Sequence, residues 1–354
     1  MTPKLSSDDL SLFFEAHHEA VADAARGLAA GWAPDHADED AATRRAARAL
    51  ADAGLLAWAV PERFGGAAHG RPDALDVRAL CLVREALGWA DGLLDTAFAM
   101  QGLGSYPITL AGTDAQKAAY LPGVLAGERL GAFALSEPDA GSDVAAMTCR
   151  ATRLPCAYRL NGVKTWISNA GVAGQYVVFA TTDPAAGRRG ISAFIVEPDD
   201  PGVTVERFRV TAPHPIGTLR LDGCDIPEDR RLGQEGQGFK LAMQTLEAFR
   251  TTVAAAALGM GRRALDEATA FAKARQQGGK PIIQHQQIGA YLAEGWTELD
   301  AARLLVYRAA HHKDTVPGRA TAPVAMAKLF ATEAASRLID KAVQIHGGRG
   351  VQVG

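Results

Sequence analysis

Phe133-Ala134-Leu135-Ser136-Glu137-Pro138-Asp139-Ala140-Gly141-Ser142-Asp143 is the stretch best equipped to hold a flat, polar ligand. An apolar run enters a loop shaped by Pro138 and Gly141, and small side chains let backbone come close to a ligand plane. Backbone N–H groups and the hydroxyls of Ser136 and Ser142 can then hold ring carbonyls or phosphate oxygens, with Phe133 as an apolar face. Taken alone, the same residues also suit an ordinary strand-to-loop connection. Trp166-Ile167-Ser168-Asn169 sets an indole two residues from a hydroxyl, in a run where a tryptophan is usually core. Leu246-Glu247-Ala248-Phe249-Arg250 precedes a helix of small residues, Thr251 to Gly261. Arg250 there can grip phosphate or stack on adenine, or simply pair with Glu247 in solvent.

Several other chemistries lack an anchor. No Gly-x-Gly-x-x-Gly joins a strand to a helix and no Gly-rich loop ends in Gly-Lys-Ser/Thr. Gly-x-Ser-x-Gly and His-Glu-x-x-His are missing too, which removes serine-hydrolase and zincin readings. His285, His311 and His312 have no third ligand at workable spacing, so no metal is expected.

The elements that must position these groups change character twice along the 354 residues. Up to about residue 129 the apolar spacing is helical, as in Ala41 to Ala53 and Val77 to Trp89. Pro61 to Gly66 breaks this pattern, while Gly112-Thr113 and Pro122-Gly123 bracket another short helix. Between about Gly131 and Gly233, short Val-, Ile-, Phe- and Thr-rich runs such as Tyr176 to Thr181 and Ile191 to Val196 indicate a sheet. Asn161-Gly162, flanked by strand-like runs, predicts a type I′ hairpin. Helices return over Gln237 to Ala274, His285 to Lys313 and Ala320 to Ile345, with apolar faces long enough for a bundle. The expected organisation is mainly α with a central β domain, in three segments: 1–129 helical, 130–235 β, and 236–354 helical.

A chain that is 48% hydrophobic and 22% charged can bury more than one core. Its 37 basic and 40 acidic residues are spread without a field of one sign, which argues against nucleic acid as partner. Cys81, Cys149, Cys156 and Cys224 form no metal or redox motif and read as reduced thiols. With no secretory pattern at the N-terminus and no membrane-spanning run, the cytoplasm is the expected location.

Phe133 to Asp143 closely resembles the flavin-binding signature of the acyl-CoA dehydrogenase family, and further segments match the family's motifs in order. The resemblance implies an N-terminal helical domain, a barrel- or sandwich-like middle domain and a C-terminal helical bundle. It implies FAD, held by Phe133, Leu135, Ser136, Gly141, Ser142, Trp166, Ile167 and Ser168, with Trp166 beside the isoalloxazine. Arg275 would meet the pyrophosphate, and Gln344, Gly347 and Gly348 the adenosine half, of FAD bound mainly by a neighbouring subunit. That points to a homotetramer built as a dimer of dimers. Gly278-Gly279 departs from the family's more common Phe-Gly, so an aromatic contact to the flavin is lost.

For the substrate, an acyl-CoA, the resemblance assigns Thr96, Ser142, Glu247 and Arg250, the last near the CoA end. Gly54-Leu55, Pro61-Glu62, Gly65-Gly66 and Thr96 to Ile108 would line the acyl pocket. The implied reaction is α,β-dehydrogenation to the trans-2-enoyl-CoA, with electrons leaving through an electron-transferring flavoprotein. A carboxylate must take the α-proton in a dry pocket. In most of the family it follows the segment matched by Gln344 to Gly350, in a Tyr-Glu-Gly-Thr-like motif; this chain ends at Gly354, and a missing C-terminal segment is the expectation. In some relatives the Glu precedes the Arg, where this chain has Phe249. Glu247 lies about 200° away around the helix, so no catalytic base is named. The alternatives are a flavin- or CoA-binding subunit of a heteromeric dehydrogenase, or a flavin oxidase or monooxygenase of this fold.

Overall fold

The computed structural model describes residues 1–352. Its helices are α1 (His17–Gly31), α2 (Glu39–Asp52), α3 (Val77–Ala90), α4 (Gly92–Ala111), α5 (Asp114–Leu125), α6 (Gly238–Ala274), α7 (Gln286–Thr315) and α8 (Thr321–His346). The strands between α5 and α6 are β1 (Gly131–Ala134), β2 (Arg150–Leu154), β3 (Ala157–Ser168), β4 (Gln175–Thr181), β5 (Ile191–Val196), β6 (Val203–Arg207), β7 (Ile216–Pro227) and β8 (Arg231–Leu232). Two short strands, β9 (Gln276–Gln277) and β10 (Lys280–Pro281), follow α6. Helical, β, helical is the order along the chain, with a two-strand ribbon added to the final part.

By internal contacts the residues form two compact units. One takes Met1–Ala33, Asp76–Asp95 and the chain from Arg250 onward; the other takes Pro34–Leu75 and Thr96–Phe249. Each therefore draws on more than one of the consecutive segments read from the sequence.

Several helix starts follow from local chemistry. Asp38 accepts from the backbone N–H groups of Asp40 and Ala41 at the start of α2, and Asp76 from Ala79 at the start of α3. Thr113 and Gln116 close a reciprocal capping box at α5. That helix continues through Pro122 to Leu125, past the point where Pro122-Gly123 was expected to end it.

In the sheet-containing unit, an eight-stranded sheet runs β6-β7-β3-β2-β4-β5-β8, with β1 parallel to β4. Side chains alternate across it with the strand period. Tyr176, Val178 and Ala180 of β4 join one core with Tyr158, Leu160, Leu219 and Ile226. Val177 and Phe179 join a second, with Ile108 of α4, Leu121 of α5 and Leu241 of α6. Both faces are thus covered, which explains why β4 and β5 are buried at every position and mostly apolar.

The hairpin lies elsewhere than expected. Leu154 faces Ala157 across β2 and β3, so the turn is Pro155-Cys156, with Cys156 at φ 60°. A proline followed by a positive φ is a type II turn. β3 instead runs through Asn161-Gly162, where a register shift against β7 marks a bulge. Asn161 Oδ1 accepts from the Gly223 N–H at 2.8 Å, so the side chain serves the neighbouring strand rather than a local turn.

In the other unit, α1 packs on α3, α3 on α7, and α7 on α8. A buried polar network ties the N-terminus to the bundle: Glu85 of α3 accepts from Ser6 N (3.1 Å), Ser6 Oγ (2.9 Å) and Tyr307 OH (2.5 Å). Arg303 Nε donates to Ser6 Oγ at 3.0 Å. Burial pushes the Glu85 carboxyl above its ordinary range.

Candidate flavin and thioester site

Gly131, the first residue of β1, is held from both sides by side-chain amides. Its N–H donates to Gln101 Oε1 at 2.8 Å and its carbonyl accepts from Asn169 Nδ2 at 2.9 Å. Gln101 Nε2 in turn donates to the carbonyls of Val124 and Arg129, both at 3.1 Å. α4 meets this strand at Gly104, where a Cβ would stand 2.6 Å from Gly131 Cα and Ala132 N. Only glycine permits that approach. β1 is therefore fixed before it delivers Phe133, half-buried and edge-on to Phe179 at 5.0 Å.

Beyond β1 the chain turns tightly, with Glu137 and Ala140 exchanging backbone hydrogen bonds of 3.1 and 3.2 Å. A buried ion pair fixes the turn. Lys164 Nζ, wholly buried, donates to Glu137 Oε1 at 2.7 Å and to the Leu135 carbonyl at 3.1 Å. Glu137 also accepts from the N–H groups of Thr148 (2.6 Å) and Cys149 (3.0 Å) and from Thr148 Oγ1 (2.9 Å). Burial opposes ionisation of Glu137, but Lys164 and the two N–H groups outweigh it and hold the carboxyl below its ordinary value. Ser136 is left half-buried, while Gly141 and Ser142 are exposed.

Trp166 departs from the core position usual for a hairpin tryptophan. The register shift between Lys164 and Ile167 is a bulge that turns Trp166 outward, 64% exposed, at φ 60°. This left-handed conformation costs an L-residue roughly 1–2 kcal/mol, and such strain with an exposed indole is typical of a ligand-facing position. Phe208 packs edge-on to the indole at 4.9 Å. Ser168 Oγ lies 3.3 Å from His214 Nε2, and His214 Nδ1 is 2.9 Å from the Ala212 carbonyl. The Thr165 N–H donates to the Ser136 carbonyl at 3.0 Å, joining the two segments directly. Leu135 and Ile167 are buried, each in one of the two cores, so they offer a ligand only backbone. The exposed indole, the Ser136, Ser142 and Ser168 hydroxyls and an open Gly141 make a donor set and apolar face that fit an isoalloxazine and its ribityl chain.

Thr96 of α4 and Glu247 of α6 are half-buried in the sheet-containing unit. Arg250, three residues beyond Glu247, is exposed in the other unit. In that second unit, stacking of His346 on Phe271 at 4.6 Å brings the end of α8 to the end of α6. Arg275 and the segment Gln344, Gly347 and Gly348 therefore share one end of the bundle. Arg275 and Gln344 are exposed; Gly347, at φ 59°, and Gly348 have open space where side chains would be. Gly278 and Gly279 form the two-residue turn between β9 and β10, both at positive φ (59° and 78°). A type I′ turn demands that at both positions.

His285, His311 and His346 have structural partners. His285 Nε2 is 3.2 Å from the Gln277 carbonyl, beneath the glycine turn. His311 is edge-on to Phe13, and His346 Nδ1 lies 2.8 Å from the Ala342 carbonyl. Among the described residues, His17, His18 and Asp76 form one group with ligand-type atoms in reach of a single point. There the two imidazoles stand 2.8 and 3.2 Å from the Asp76 oxygens, at the start of α3.

Comparison with known proteins gives three family models in order: acyl-CoA dehydrogenase N-terminal domain over residues 15–128, middle domain over 132–224 and C-terminal domain over 236–354. An acyl-CoA dehydrogenase of Bacillus subtilis (strain 168) is 40% identical over 303 residues, covering 84% of this chain and 78% of that one. A short-chain specific acyl-CoA dehydrogenase of Megasphaera elsdenii is 39% identical over 306 residues, covering 85% and 79%. Among solved structures, butyryl-CoA dehydrogenase from Megasphaera elsdenii matches with a TM-score of 0.86 at 33% identity, covering 96% of this chain and 90% of that one.

Proposed function

The chain belongs to the acyl-CoA dehydrogenase family, and on that premise we propose that it is an FAD-dependent oxidoreductase that dehydrogenates an acyl-CoA between Cα and Cβ. The observation that carries this reading is Trp166, exposed and left-handed beside a loop locked by Lys164 and Glu137. The β3 bulge holds the strained residue in place, and strain of this kind around an exposed aromatic face is characteristic of ligand-binding positions.

FAD, when bound, supplies the hydride-accepting ring. The protein's part is positioning. Phe133 and Trp166 give apolar faces, and Ser136, Ser142 and Ser168 with nearby backbone N–H groups hold polar edges. Arg250 is proposed to grip the phosphate end of CoA, and Thr96, Ser142 and Glu247 to line the path of the thioester arm. Phe249, next to Arg250, has no ionisable group, and no residue is assigned as base. Hydrogen bonds to the thioester carbonyl would lower the barrier to α-proton removal by stabilising enolate-like charge.

Arg275, Gln344, Gly347 and Gly348 are proposed to serve FAD seated mainly on a neighbouring copy, in a homotetramer built as a dimer of dimers. Their exposure at one end of the bundle supports this. An electron-transferring flavoprotein is the proposed acceptor. No helix among the described residues is long and apolar enough to cross a membrane, and three of the four free cysteines are buried; both are compatible with the proposed cytoplasmic site of action. The purified protein should be yellow and release FAD on acid treatment; a colourless protein that takes up no FAD contradicts the reading.

A further inference from the structure

Gly102 leaves a gap in the face that α4 turns toward α6 in the sheet-containing unit, and one ring fills it. A Cβ at position 102 would stand 2.3 Å from Phe249 Cε1 and 2.5 Å from its Cζ, so the ring occupies the space a side chain would take. Phe249 is 2% exposed. One turn further along α4, Tyr106 meets the ring edge-to-face at 5.7 Å and 80°, a favoured aromatic arrangement. The ring is thus held on two sides, by a residue that yields to it and one that packs against its edge.

The proposed function puts the thioester arm beside Thr96 and Glu247 and the CoA end at Arg250, and the family resemblance implies an acyl pocket lined by Thr96 to Ile108. Phe249 lies between those two α6 residues, and its ring projects to the middle of the α4 stretch. From this placement we infer that Phe249 is the specificity-determining residue that closes the acyl pocket and limits the substrate to short acyl-CoA thioesters. This rests on the proposed function. A longer chain would have to displace a buried aromatic ring from Gly102 and Tyr106, whereas a short one stops before it.

The test uses the FAD-loaded full chain, an artificial electron acceptor, and butyryl-, octanoyl- and dodecanoyl-CoA. The wild type should prefer butyryl-CoA. Phe249→Ala should raise the octanoyl-to-butyryl ratio of kcat/KM by ~10-fold or more, the scale on which apolar pockets discriminate chain length. Phe249→Leu, which keeps an apolar side chain in the gap, should move the ratio in the same direction by less, and it decides the matter if the Ala variant fails to fold. A wild type that turns over dodecanoyl-CoA as well as butyryl-CoA overturns the inference. So do variants that lose rate equally on all three thioesters, the mark of a purely structural ring. A flavin-loaded wild type inactive on every acyl-CoA overturns the proposed function itself, and the inference with it.

Discussion

Lys164 has no exposed surface, yet its ammonium sits 2.7 Å from the Glu137 carboxylate, joining β3 to the loop after β1. Two buried charges are retained only when paired and hydrogen-bonded, and here both conditions are met by groups of the loop itself. The pair explains how an irregular segment with exposed Gly141 and Ser142 keeps one shape.

Removing one partner should be far worse than removing both. Lys164→Met leaves Glu137 buried and unpaired, and should cost about 3–5 kcal/mol in urea unfolding. Lys164→Met with Glu137→Gln should recover part of that loss while still weakening flavin retention. If both variants unfold at the wild-type urea concentration, the pair has no structural role.

Acid should act through the same carboxyl. Glu137 is held below its ordinary value of 4.5, so its contribution to stability is complete above that pH and lost as pH falls through the lower folded value. Urea unfolding across this acid range should show a steeper loss in wild type than in Glu137→Gln. Parallel pH profiles would remove Glu137 from the account.

Trp166→Ala should separate folding from binding. Because the indole is 64% exposed, stability should change by no more than about 0.5 kcal/mol. FAD affinity, measured by fluorescence on reconstituting the apoprotein, should fall by at least ~3-fold through loss of an aromatic face. A large stability loss with unchanged FAD affinity would make Trp166 a packing residue.

Arg250→Ala should weaken binding of CoA thioesters by ~10-fold or more, the scale of a lost hydrogen bond to a charged group, and leave FAD affinity nearly unchanged. Calorimetric titration with an acyl-CoA and separately with FAD distinguishes the two. Equal losses for both ligands, or none, refute the assignment.

The sequence made the order of helices and strands legible because apolar spacing repeats over many turns, and β5 was read to the residue at Ile191–Val196. Asn161-Gly162 misled because a short-range turn preference competes with pairing to β7, a partner remote in sequence. Pro155-Cys156 made the turn instead, with a non-glycine at positive φ that local propensity disfavours. Phe133, Ser136, Ser142, Trp166 and Ser168 are proposed as flavin contacts through motif resemblance. The supports beneath them were missed: Glu137 and Lys164 are 27 residues apart, and Gln101 is 30 from Gly131. Such partners carry no local periodicity, and a buried lysine looks in sequence like any surface lysine. A lysine and a glutamate flanking two ligand-type segments were the available signal.

The most direct measurement is an anaerobic titration of the FAD-loaded protein with butyryl-, octanoyl- and dodecanoyl-CoA, followed by flavin absorbance. Stoichiometric bleaching by butyryl-CoA is expected, with appearance of the trans-2-enoyl thioester and recovery of colour on adding an electron-transferring flavoprotein. A flavin spectrum unaltered by all three thioesters, in protein that retains FAD and its assembled state, would contradict it.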